Sequence, residues 1–207
     1  MQMKTLLRLV LVSLTLLTMT CAAVAGSRVI VIPVEENQVA YEFVGQFNNT
    51  PTTSQQFGYL SNVAGLDSVF SATPENETTA EFTFVTNATT DRVIANGPFR
   101  IVNRSGTTTI YLNNGPSDFA NPATFSQGTP VQISSYRQQV ILNTLTNSFV
   151  TLHTNVITST TPFDLDGKAY RLGRWGSAFR TAYSGQSNTP GSVPSGWFGG
   201  NAIGIGR

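Results

Sequence analysis

Apolar and polar residues alternate along most of this chain. In Val39–Phe47, written VAYEFVGQF, Val39, Tyr41, Phe43, Gly45 and Phe47 share one side, and Ala40, Glu42, Val44 and Gln46 the other. In Thr78–Thr86, Ala80, Phe82 and Phe84 alternate with Thr79, Glu81, Thr83 and Val85. A period of two is the geometry of a strand with one buried face, so both stretches read as half-buried antiparallel strands. Further strands are predicted at Arg28–Val34, Pro98–Arg104, Thr107–Leu112, Pro130–Ser135, Arg137–Leu145, Phe149–Ser159, Lys168–Gly173 and Ser177–Tyr183.

No stretch carries a capped apolar repeat of helical period. Gln55–Leu66 comes nearest, but Gly58 and Gly65 make it a short turn or an irregular crossing. Turn signals fall around Gly106, at Asn113–Pro116 and at Asp166-Gly167. Short strands closed by turns at fairly regular spacing predict one all-β domain, an antiparallel β-sandwich or β-barrel of about eight to ten strands.

The ends differ from the middle. Residues 1–25 combine Lys4 and Arg8, the apolar run Leu9–Met19 and the small residues Ala23-Val24-Ala25. This is the layout of a secretory signal peptide, with cleavage expected after Ala25. The all-β domain is then expected over 26–184, and 185–207, rich in Gly, Pro and Ser, as a flexible C-terminal tail. The implied destination is the periplasm or the exterior. No membrane insertion is expected after cleavage, since the tail lacks an apolar helix and the strands mostly carry polar outer faces.

Cleavage would also remove Cys21, the one cysteine of the chain. A mature chain without cysteine has no disulfide, no thiol nucleophile and no thiolate metal site. Taking Lys4 and Arg8 from the 12 basic residues, against 11 acidic, leaves a net charge of −1. So sparse a positive field argues against nucleic acid as a partner.

Candidate chemistry is thin. DLDGKAYRLG, residues 164–173, begins like a calcium loop, with Asp164 and Asp166 at alternate positions. A third acidic ligand and the closing Glu are missing, and Lys168 intrudes. Asp166-Gly167 suits a tight hairpin instead. No metal site and no cofactor are expected. His153, the single histidine, shares a strand face with Thr151 and Asn155, opposite Val150, Leu152 and Val156. It is read as a surface or groove-lining residue, and no G-x-S-x-G elbow accompanies it. Glu35, Glu36, Glu42, Glu75, Glu77 and Glu81 are read as a solvated outer face rather than a hydrolytic pair.

Aromatic and arginine side chains near the C-terminal end suggest a contact surface for carbohydrate or another extracellular polymer: Trp175, set between glycines in GRWGS, with Tyr170, Arg171 and Arg180. The leading expectation is therefore an exported, non-catalytic binding or structural domain. A secreted hydrolase using carboxylates or His153 is the rival. A closed barrel carrying a small apolar ligand inside Phe-rich walls is a third reading.

Overall fold

The computed structural model of the chain describes residues 28–32 and 37–204. The expected signal peptide lies outside the described residues, as do Glu35 and Glu36. The strands are β1 (Ile30–Ile32), β2 (Val39–Asn49), β3 (Thr53–Val63), β4 (Phe82–Asn96), β5 (Phe99–Leu112), β6 (Thr129–Asn143), β7 (Ser148–Thr160), β8 (Phe163–Leu165), β9 (Lys168–Leu172), β10 (Ala178–Ser187) and β11 (Gly196–Gly204). One 3-10 turn spans Pro122–Ser126.

Eight strands close into an antiparallel barrel in the order β10-β11-β2-β3-β4-β5-β6-β7, with β7 pairing back onto β10. Closure removes the edge strands of the barrel. At eight strands the interior is just wide enough to be filled by side chains or to hold one small ligand. The other three strands form a small sheet, β1-β9-β8, in which β1 runs parallel to β9.

That sheet plugs one end. Ile32, Phe163, Tyr170 and Leu172 join the barrel's apolar core, where Phe163 meets Phe82 edge-on at 5.4 Å. Gln132 Nε2 and Thr160 Oγ1 both donate to the Leu172 carbonyl, at 3.1 and 3.0 Å. Asp166 and Gly167 adopt φ of 50° and 74° in the turn joining Leu165 to its partner Lys168, the hairpin expected from the sequence.

The opposite end is the mouth, rimmed by the β2–β3 turn, the β4–β5 and β6–β7 hairpins and the 188–195 connection. Just inside it, rings lie over glycines on neighbouring strands. Phe47 is paired with Gly196, Phe149 with Gly185, and Phe198 with Gly45. A Cβ on Gly196 would meet the Phe47 ring at 2.6 Å, and one on Gly185 the Phe149 ring at 2.7 Å. Glycine thus makes room for the aromatic across the ladder.

A second cluster sits outside the barrel wall. Phe57 and Val85, on the outer faces of β3 and β4, are covered by Phe125 of the 3-10 turn. Thr83 Oγ1 donates to the Phe125 carbonyl at 2.9 Å.

Four expectations are corrected. Gly106 is no turn: β5 runs through it as one strand, because Gly106 lets the backbone of Asn87 approach where a Cβ would collide with its carbonyl oxygen. Gln55–Leu66 is largely strand β3. Val39 is exposed, and Ala40 takes the buried position beside Tyr41. The 185–207 segment is not a tail over its described part, since β11 closes the barrel between β10 and β2. Its glycines gave it low apolar content, yet they are what the neighbouring rings require.

Candidate functional site

β7 alternates as expected, but in the opposite sense from a strand with an apolar inner face. Phe149, Thr151, His153, Asn155 and Ile157 point inward, while Val150, Leu152 and Val156 are exposed on the outside. Periodicity identifies two faces without saying which is inside. Here the inner face is apolar at its ends and polar in its middle, where His153 and Asn155 hydrogen-bond to Tyr183, Thr181 and the Phe179 carbonyl of the neighbouring strand β10.

Cross-strand register arranges those groups in a belt. Thr90 of β4 opposes Arg104 of β5, Arg104 opposes Gln138 of β6, Gln138 opposes His153 of β7, and His153 opposes Thr181 of β10. Tyr183 reaches into this belt from β10. Its hydroxyl donates to Gln56 Oε1 at 2.9 Å and accepts from Gln138 Nε2 at 2.6 Å. His153 Nε2 lies 3.0 Å from the same oxygen. Tyr136 stacks on the imidazole at 4.5 Å with 10° between planes.

His153 is therefore neither surface nor groove-lining: it is 5% exposed, inside the lumen. Burial, with the Arg104 charge adding to it, lowers its pKa from 6.5 to about 3. The imidazole is neutral at physiological pH, and among the described residues no carboxylate is buried to orient it. A base so weak is poorly matched to general-base catalysis.

Arg104 is the anomaly of the belt. It is 9% exposed, yet among the described residues it has one hydrogen bond, from Nε to Thr90 Oγ1 at 3.4 Å, and no carboxylate partner. Burial lowers its pKa, and the nearby charge of Arg100 acts in the same direction. Buried charge without a counter-charge is costly, and arginine's fork is built to meet an oxyanion.

Arg104 lines two connected spaces. A cavity of about 450 Å³ occupies the mouth, where Arg100, Val93, Phe47, Val102 and Leu142 also line it. A deeper pocket of about 60 Å³ shares Phe47, Val102, Leu142 and Arg104, and adds Ser54, Gln56, Gln138, Thr151 and Tyr183. Ser54 Oγ, Thr151 Oγ1 and Gln138 Oε1 are buried without a hydrogen-bond partner. They are three of ten such atoms among the described residues, and these three share a pocket with a guanidinium that lacks a counter-charge.

The residues singled out from the sequence fall elsewhere. Trp175 is 73% exposed in the loop between β9 and β10. Arg180 is exposed on the outer face of β10. Arg171 is half-buried on β9, with its Nε buried and unpartnered. Tyr170 is buried in the plug, 6.1 Å from Phe163, so its ring is not available to a surface ligand. Arg171 and Arg180 belong to different sheets. Glu42 lies on the outer face of β2. Glu81 is half-buried, and burial together with the Asp166 charge raises its pKa. Among the described residues no group of three or more His, Cys, Asp or Glu side chains is placed to hold a metal ion, and no helix is long and apolar enough to cross a membrane.

Sequence reasoning passed over Arg104, Gln138, Ser54 and Gln56. The available signal was parity: each shares a strand face with apolar residues, as Arg104 does with Val102 and Ile110. The chain matches no protein-family model, no curated protein and no solved structure.

Proposed function

We propose that this protein is an exported, non-catalytic barrel that holds one small, largely apolar molecule in its open end. The observation that carries the reading is the mouth cavity of about 450 Å³, which leads inward to orphaned polar groups while the far end is plugged. Concave sites of this size that combine apolar surface with convergent polar groups are typical of small-ligand binding. The weakly basic, buried His153 favours binding over hydrolysis. Export rests on the layout of residues 1–25.

The test is isothermal titration of the mature protein with straight-chain alcohols of graded length, repeated on Val102→Trp, which fills the cavity. Saturable binding by the native protein and its loss in the filled variant are expected. A native protein that binds none of the series would end the carrier reading. For export, the N-terminus of material recovered outside the cytoplasm should be Gly26, and a product that keeps Met1 would contradict cleavage.

Exposure of Trp175 favours a second reading, contact with polysaccharide through Trp175, Arg171 and Arg180. Trp175→Ala should then lose retention on a glycan array without loss of folding.

A further inference from the structure

We infer that the molecule held in the barrel carries a single carboxylate head, seated against Arg104 in the deeper pocket, with its apolar body running out towards the mouth. This rests on the small-ligand reading above and specifies the chemistry of that same site.

The polarity of the site selects an anion. Arg104 is buried and has no acidic partner among the described residues, and Arg100 places a second positive charge at the rim. Ser54 and Thr151 bring unpartnered hydroxyls to the deeper pocket, and each can donate. A cationic head would meet repulsion, and a neutral one would leave the guanidinium uncompensated.

Charge and size narrow the anion further. One buried cation matches one negative charge. A pocket of about 60 Å³ suits a flat carboxylate, which the guanidinium can engage with two parallel hydrogen bonds. A dianionic phosphate would need a second buried cation to balance its charge. Phe47, Val102 and Leu142 line both spaces, alongside Asn49 and Ser187, and give the body of the ligand apolar contacts from one space to the other.

The probes are decanoate, decanol and decyl phosphate, titrated calorimetrically into the full mature protein below their aggregation thresholds. Decanoate should bind at least tenfold more tightly than decanol, and more tightly than decyl phosphate. Arg104→Gln should abolish the preference for decanoate, bringing its affinity to within about twofold of that of decanol in the same variant. Independently of any variant, the carboxyl carbon of labelled decanoate, followed by NMR, should remain ionised in the complex at a pH where the free acid is protonated. Equal affinity for decanoate and decanol, tighter binding of decyl phosphate, or a bound carboxyl that titrates like the free acid would each overturn the head assignment and leave the barrel reading standing. Binding of none of the three would overturn both.

Discussion

His153 Nε2 and the Tyr183 hydroxyl are 3.0 Å apart, and the other partners of that hydroxyl settle which atom holds the proton. Tyr183 has one proton and gives it to Gln56 Oε1, while Gln138 Nε2 donates back to the phenol. The remaining lone pair can only accept, so the imidazole must be the Nε2–H tautomer. Four strands, β3, β6, β7 and β10, thus meet at one oxygen atom.

Removing that oxygen should be expensive. Tyr183→Phe keeps the ring against Phe43 and Phe198 but strands Gln56 Oε1, Gln138 Nε2 and His153 Nε2. A loss of roughly 2–4 kcal/mol is expected, since each stranded buried group costs about 1–3 kcal/mol and only part can relax. Urea denaturation of the variant against the native protein measures it. A loss below about 0.5 kcal/mol would mean that the hub contributes little beyond packing.

Acid should weaken the barrel through His153. The folded form holds this group neutral down to about pH 3, whereas in the unfolded chain it protonates near 6.5. The unfolded state therefore binds more protons between those limits, and stability falls as pH drops from 6.5 to about 3. The slope from this group is at most about 1.4 kcal/mol per pH unit. The groups that face it are Arg104, Tyr136 and Tyr183. Urea midpoints across this range should flatten in His153→Gln relative to the native protein. NMR shifts of the imidazole protons should stay constant from pH 8 to 4, and a titration near 6.5 in the folded protein would contradict this burial.

Much of the fold is legible in the alternation of residues. The strand faces of Tyr41–Phe47 and of Phe82 with Phe84 can be read directly, and so can the Asp166-Gly167 turn. The sense of β7 cannot. Val150, Leu152 and Val156 look like a core face, and only the inward-facing partners of His153 and Asn155 on the neighbouring strand β10 reverse it. Gly106 and the glycines of β11 mislead for a shared reason. In a barrel, glycine marks where a ring or a backbone comes close, and sequence alone equates it with a turn or a tail. The belt from Thr90 to Thr181 escapes notice because its members are far apart in sequence and only register brings them together.

Glycine positions under aromatic rings should be intolerant of a single methyl group. A Cβ on Gly45 would lie 2.5 Å from the Phe57 carbonyl oxygen and 2.8 Å from the Phe198 ring, while nothing lies within 4 Å of one on Gly115. Gly45→Ala should cost about 1–3 kcal/mol by overpacking, and Gly115→Ala should change stability by less than about 0.5 kcal/mol. Thermal melts of the two variants make the comparison. Equal effects would argue that the wall yields at Gly45.

Arg104 separates stability from function. As a strut it should be missed when removed. As a ligand contact it should be a burden in the empty protein, because its charge is buried with one long hydrogen bond to offset the lost hydration. Arg104→Met keeps a long apolar stem in the same space and discards the charge. Replacing buried charge with apolar volume is often stabilising, here by about 1–2 kcal/mol, or roughly 2–8 °C in melting temperature for a chain of this size. The gain should appear without ligand. With decanoate present the ranking should reverse, since a ligand bound more tightly by the native protein stabilises it more than the variant. A variant that melts lower than the native protein without ligand would show that the guanidinium supports the fold itself. The unpaired charge would then cease to be a reason for placing an anion in the barrel.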